Sequence, residues 1–280
     1  MFVWSGTDYL GESRHWPIFA DSSGLDDRTD YPKPDALERE SWWADHPVVH
    51  LVRRVAPVPK APTDPGYEAE QYRPRQTAFP DWTPANLALH PEHVEIYSNC
   101  QQVALTLNGQ PLGSETIRAD AAPRTWEVSF APGTLEAHCV GGESAAESLQ
   151  TADAAVALRF TPAATHLGTG FDEVALEELT VVDAHGVPVP RSEIAVTFSV
   201  SGPGSLLATD NADAVYTDPF SSPKRLTYDG RAVAYVRGTG TGTLHLRATA
   251  PGMQPAEVDL TVTPGSSEPK AAPVPFRGRP

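Results

Sequence analysis

A chain of 280 residues with 36 acidic and 21 basic side chains carries a formal net charge of −15, which argues against nucleic acid or an anionic membrane surface as partner. Hydrophobic residues make up 40% and charged residues 20%, an ordinary globular balance with room for two or three domains. The 28 prolines and 21 glycines, set among Val, Thr and Leu, favour many short strands joined by turns.

No run approaches the ~20 apolar residues of a membrane span. Met1 leads straight into Phe2-Val3-Trp4-Ser5-Gly6, with neither the basic stretch nor the apolar run of a signal peptide. An apolar strand with no lead-in reads as the interior of a longer design. Phe2-Val3-Trp4 stops at Ser5-Gly6 and continues as Thr7-Asp8-Tyr9-Leu10-Gly11-Glu12. A strand that ends in a polar, glycine-punctuated loop is a βα pattern. Pro32-Lys33-Pro34 leads into a helix over 35–44, and Val48-Val49-His50-Leu51-Val52 reads as a second strand. Trp42 and Trp43 point about 100° apart on a helix. One is expected to pack on its own fold, the other to reach a neighbouring sandwich. With that surface unpartnered and strand edges open, residues 1–56 are expected to be the least stable part.

Residues 57–84 hold Pro57, Pro59, Pro62, Pro65, Pro74, Pro80 and Pro84, a spacing that suits a linker or an extended wrap. Tyr67, Tyr72, Phe79 and Trp82 are placed to pin it. A first β module is expected over 85–152, with strands at 94–97, 103–107, 125–130 and 135–140. Asn108-Gly109 followed by Pro111-Leu112-Gly113 is the strongest local hairpin signal, because both turn residues tolerate positive φ. A Ser-, Gly- and Glu-rich joint at 141–154 precedes a second module at 155–263, whose strands fall at 156–160, 176–182, 194–200, 231–237, 243–249 and 257–263. Short strands with turns such as Asp183-Ala184-His185-Gly186 and Ser201-Gly202-Pro203-Gly204 suggest an immunoglobulin-like sandwich. The fold class is therefore mainly β, two antiparallel sandwiches, with a disordered tail over 264–280.

Cys100 and Cys139 each end a strand-like run. Two cysteines do not make a disulfide framework, so free buried thiols are favoured over a bridge. The pairs His46/His50 and His90/His93 lack the shared helical face a metal pair needs, because Pro47 and Pro91 intervene. Gly238-Thr239-Gly240-Thr241-Gly242 precedes a strand instead of a helix, so it reads as a hairpin tip and not as a phosphate loop. Asp26-Asp27 reads as solvated surface rather than a calcium site. Ser205 lacks the second glycine of a nucleophile elbow. Neither metal nor cofactor is expected.

Residues 2–12 resemble the eighth strand and following loop of the glycoside hydrolase family 2 barrel, of the β-galactosidase type. Pro32-Lys33 and Trp43-Ala44-Asp45-His46-Pro47-Val48-Val49-His50-Leu51 extend the resemblance. Residues 94–113 resemble the small sandwich that follows the barrel, and 155–263 the C-terminal immunoglobulin-like domain, through 196–204 and Asp210-Asn211. The resemblance implies that residues 1–56 are the end of a (β/α)8 barrel. It also implies a retaining glycosidase chemistry, often in exported proteins, in which two carboxyl groups sit about 5–5.5 Å apart. In this family they come from the fourth and seventh strands, at the strands' C-terminal ends. The acid/base glutamate follows an asparagine, and none of Asn86, Asn99, Asn108 and Asn211 precedes Glu. No catalytic residue is therefore expected here.

Three residues remain as candidates for substrate binding. Trp4 matches the family's aromatic residue at the end of the eighth strand; its ring face suits a pyranose and its N–H can donate. Asp8 and Glu12 follow on the same loop, to bind hydroxyls or, as favoured, to order the loop. The implied partners are a β-galactoside-like carbohydrate in the intact enzyme and a missing barrel fragment as a separate chain. The alternatives are a carbohydrate-binding module and a structural spacer.

Overall fold

The computed structural model describes residues 3–13, 15–55, 77–141, 144–162, 165–170 and 173–265. Most of the expected linker (57–76) and of the expected tail (266–280) lies outside the described residues. The chain divides into two compact units. One comprises Met1–Ala155, Val182–Ser192 and Ala212–Thr217; the other comprises Val156–Val181, Glu193–Asn211 and Asp218–Pro280.

The first unit opens with four short strands, β1 (Ser5–Thr7), β2 (Tyr9–Leu10), β3 (Ala20–Asp21) and β4 (Gly24–Asp26), followed by helix α1 (Pro34–Trp43). β1 pairs with β4 in parallel, and β2 with β3 antiparallel. The strand expected at 2–4 is displaced: Val3 and Trp4 lie before β1 and are exposed. Pairing starts at Ser5 because Gly24 lets the two backbones meet. A Cβ there would stand 2.2 Å from the Asp8 nitrogen. Pro34 opens α1 at a position whose N–H has no helical partner.

The body of this unit is a sandwich. Its strands are β5 (Val49–Arg54), β6 (Ala78–Phe79), β7 (Pro91–Ser98), β8 (Gln102–Leu107), β9 (Gln110–Thr116), β10 (Arg124–Ser129), β11 (Thr134–Cys139) and β12 (Ala146–Gln150). One sheet runs β10-β7-β5-β6, the other β12-β11-β8-β9. Their inner faces share a core that includes Leu51, Val94, Ile96, Val103, Leu105, Phe130 and Leu135. Trp82 is 0% exposed within it and donates its indole N–H to the Ala131 carbonyl at 3.1 Å. Burying that ring removes one of the largest apolar surfaces in the unit from water.

β5 corrects the boundary expected at residue 56. Six of its residues pair with β7, from Val49 opposite Ser98 to Arg54 opposite His93, so it belongs to the sandwich sheet. The reason is its pattern: Leu51 and Val52 both need cover, and the sheet supplies it on two faces. β6, drawn from the expected linker, is an edge strand beside Arg53 and Arg54, where prolines nearby do no harm. The expected joint at 141–154 contains β12, which pairs with β11.

Asn108 and Gly109 have φ of 52° and 75° and turn β8 into β9, with Leu107 opposite Gln110. The Asn108 side chain also accepts the Thr134 N–H at 2.8 Å and donates to the Pro132 carbonyl at 3.1 Å. Gly133, at φ 135°, leaves room for it: a Cβ there would lie 1.8 Å from Asn108 Oδ1.

The second unit is a sandwich of β13 (Ala157–Pro162), β14 (His166–Gly168), β15 (Ala175–Val182), β16 (Ala195–Ser201), β17 (Gly204–Asp210), β18 (Lys224–Leu226), β19 (Arg231–Gly238), β20 (Gly242–Thr249) and β21 (Ala256–Thr263). Its sheets run β13-β15-β19-β17 and β14-β21-β20-β16-β18. β15 with β19, β17 with β19, β16 with β18, β16 with β20 and β20 with β21 pair antiparallel, and β14 with β21 pairs parallel. The expected hairpin tip at 238–242 is instead a crossing, since β19 lies in one sheet and β20 in the other. Gly238 makes the crossing tight: a Cβ there would stand 2.4 Å from Val262.

His50 ties three elements of the first unit together. From β5 it meets Glu40 of α1 at 3.0 Å through Nε2 and Glu147 of β12 at 3.8 Å through Nδ1. Burial pulls its pKa down, but the carboxylates of Glu147 and Glu40 outweigh that and hold it above the usual value. Stability from this contact is complete below the unfolded imidazole pKa of about 6.5 and is lost as pH climbs through the higher folded value. Thermal unfolding from pH 6 to pH 9 should show that decline, and His50→Gln should flatten it. Separately, Gly133→Ala should lower stability by about 1–3 kcal/mol in denaturant titrations, because positive φ and the Asn108 contact both resist a side chain.

Candidate functional site

The candidate residues lie in the segment from Trp4 to Lys33. Trp4 is 75% exposed. Its indole N–H donates to the Tyr9 hydroxyl at 2.9 Å, and that hydroxyl donates to Glu12 Oε2 at 2.5 Å. Consecutive positive φ values at Gly11 (95°) and Glu12 (47°) turn the chain so that Glu12 reaches back to Tyr9. The hydrogen bond to Glu12 raises the Tyr9 pKa, against an opposing pull from Trp4. The phenol therefore stays protonated and serves as a relay between indole and carboxylate.

This arrangement narrows the chemistry open to Trp4. Its polar atom is already used, so what faces outward is the apolar ring. Such a face can receive the C–H face of a sugar but adds no hydrogen bond of its own. Glu12 spends one oxygen on Tyr9 and keeps the other as an acceptor.

Asp8 stands apart from this relay. Its Oδ1 accepts the Lys33 ammonium at 2.7 Å and the Gly24 N–H at 2.9 Å, with the carboxyl largely buried. Lys33 also donates to the Ser22 carbonyl at 2.9 Å and precedes α1. Asp8 and Lys33 thus join the end of β1 to the start of the helix. The relay brings Trp4 and Glu12 together through Tyr9 and leaves Asp8 in a separate contact.

Tyr9 and Lys33 entered the sequence analysis only within the stretches that carry the resemblance and were not named as site residues. Lys33 had a signal, since it lies between two prolines at the expected start of a helix. Tyr9 had none beyond its place between Asp8 and Leu10.

The acidic pair Asp26-Asp27 differs from the expected solvated surface. Asp27 is 2% exposed and accepts the Thr29 N–H at 2.8 Å and the Thr29 hydroxyl at 2.6 Å. It caps its own turn, which satisfies the carboxylate inside the fold. Burial pushes the Asp26 pKa up, helped by Asp30 and Asp27. Among the described residues, no group of three or more His, Cys, Asp or Glu is placed to hold a metal ion, and no helix is long and apolar enough to cross a membrane.

Of the helix tryptophans, Trp42 shares a shallow recess with Glu38, Tyr97 and Pro123 and stacks near the Arg39 guanidinium, 5.4 Å from its ring. Trp43 is more exposed. α1 itself is seated by Leu37 against Val52, Ala78 and Tyr97. Replacing Lys33 by Met should strand the Asp8 carboxylate and cost about 1.5–3 kcal/mol, the range for hydrogen bonds to charged groups. Amide exchange at Gly24 should then speed up while exchange in β8 and β11 stays unchanged.

Comparison with known proteins places these features in context. Residues 158–259 match the family described as Glycoside hydrolase family 2 C-terminal domain 5, and residues 91–146 match a domain of unknown function, DUF4982. Beta-galactosidase BoGH2A of Bacteroides ovatus is 26% identical over 270 residues, 93% of this chain and 28% of the relative. A solved glycosyl hydrolase family 2 member from Bacteroides cellulosilyticus superposes with a TM-score of 0.78 at 26% identity, covering 93% of this chain and 35% of that one. A β-glycosidase from Bacteroides vulgatus does so at 0.77 and 26%, covering 92% and 30%. The chain thus spans about a third of the length of these relatives or less. Over most of its length it is thus similar to glycoside hydrolase family 2 proteins, and residues 158–259 match a C-terminal domain of that family.

Proposed function

We propose that this chain serves a retaining β-glycosidase of the β-galactosidase type as its non-catalytic C-terminal region and lends the sugar site one aromatic wall. The observation that carries this reading is the similarity over 93% of the chain to a β-galactosidase of which it spans 28%. The two carboxyl groups that cleave the bond, about 5–5.5 Å apart in a retaining enzyme, belong on this reading to the remaining part of the longer protein. The partner of the segment around Trp4 is then a barrel, either in the same polypeptide or as a separate chain, and the ligand is a β-galactoside-like carbohydrate.

Trp4 offers the ring face, Glu12 offers an acceptor for a sugar hydroxyl, and Asp8 holds the loop through Lys33 and Gly24. None of the three is asked to move a proton or attack carbon. Their work is to fix the pyranose in place, which lowers the barrier through orientation alone.

The test is a chromogenic β-galactoside offered to this chain alone and then to this chain mixed with a polypeptide carrying the rest of a family barrel. Hydrolysis is expected only in the mixture. Trp4→Ala should lower kcat/KM there by about tenfold, the equivalent of ~1.4 kcal/mol of ring stacking. Hydrolysis by the chain alone, above what a contaminant explains, would overturn the reading.

A further inference from the structure

The sulfurs of Cys100 and Cys139 are bonded, with their Cα atoms 5.8 Å apart, in place of the free thiols expected from sequence. The bridge joins the two sheets of the first sandwich. Cys100 follows β7 in one sheet and Cys139 ends β11 in the other. Both residues are buried, at 1% and 8% exposed.

The corner at 98–100 does more than carry a sulfur. Asn99 accepts the Val48 N–H at 2.9 Å and donates to the carbonyls of His46 at 2.8 Å and Ala44 at 3.3 Å. It thereby fastens the connection between α1 and β5. Arg124 holds the same corner, donating to the Ser98 carbonyl at 2.9 Å and to the Cys100 carbonyl. One three-residue turn thus holds the helix connection by Asn99, strand β10 by Arg124 and the opposite sheet by Cys100.

We propose that the Cys100–Cys139 bridge is an oxidative lock, formed in an oxidising compartment, that fixes the corner from which α1 and the segment before it hang. The bridge forms by thiol–disulfide exchange with an external disulfide. Two protein thiols lose two protons and two electrons, one S–S bond forms, and the external disulfide is reduced to two thiols that take up both. Such bridges persist where the surroundings are oxidising and are rare in the reducing cytosol. Burial keeps reductants out of the closed fold, so reduction must pass through local opening. This makes the bridge a structural tie rather than a rapid switch.

Mass spectrometry of the chain, exported to an oxidising compartment and then denatured with an alkylating reagent, tests the first half. No alkyl group is expected without reductant and two are expected after it; two alkyl groups without reductant would overturn the proposal. Limited proteolysis tests the second half. Reduction, or the Cys100→Ala/Cys139→Ala pair, should speed cleavage between residues 27 and 48 at least tenfold, with cleavage in β15 to β21 unchanged. Asn99→Ala should give the same fast cleavage with the bridge intact. If the double alanine variant does not fold, reduction of the folded wild type supplies the same comparison. Cleavage unchanged on reduction would overturn the lock.

Discussion

The pairing of β5 with β7 is the constraint on which the first unit depends. It joins residues 39 to 49 apart in sequence, 49–54 with 93–98, and the entropy of closing that loop must be met by burial at the pairing itself. Leu51, Val94 and Ile96 supply it on the side facing the second sheet, while Val52 and Tyr97 receive Leu37 of α1 on the other. Hydrogen bonding along the outer edge of β5 is completed by two means. β6 covers Arg53 and Arg54, and the Glu147 carboxylate accepts the N–H of Leu51. A strand that first looks like the end of the N-terminal segment is in fact the element through which that segment is held.

This has a functional consequence. The loop that carries Trp4, Tyr9 and Glu12 is built on strands only two or three residues long. It is held by Asp8 and Lys33, which lead to α1, by α1, which leads to β5, and by Phe19 and Arg28, which donate to the backbone carbonyls of Ala214, Ala212 and Asp213. Trp4 stays exposed with its indole N–H engaged by Tyr9, the arrangement that the proposed sugar contact requires.

Much of the fold was legible in the sequence because strand alternation and turn chemistry are local. The run from Val103 to Leu107 ending in Asn108-Gly109 specified a hairpin. Asp183 with Gly186 specified a turn, and Asp183 accepts the N–H groups of His185 and Val187 at 2.8 and 2.9 Å. What was not legible depends on distance in sequence. Whether Gly238–Gly242 closes a hairpin or crosses between sheets is decided by where β20 finds its partners, which its own residues do not reveal. Cys100 and Cys139 meet because their strands face each other across a core. In the candidate site, Trp4 and Glu12 could be singled out as residues, but the Tyr9 hydroxyl between them could not. That contact follows from two left-handed residues whose conformation only the folded loop displays.

Hydrogen exchange along β5 tests most directly whether this strand belongs to the sandwich. The amides of residues 49–54 that bond to β7 should exchange together with those of β7, in the slowest cooperative class of the unit. If they instead exchange early, in step with residues 5–26, β5 is part of a loosely attached N-terminal segment and the sandwich does not carry the candidate site.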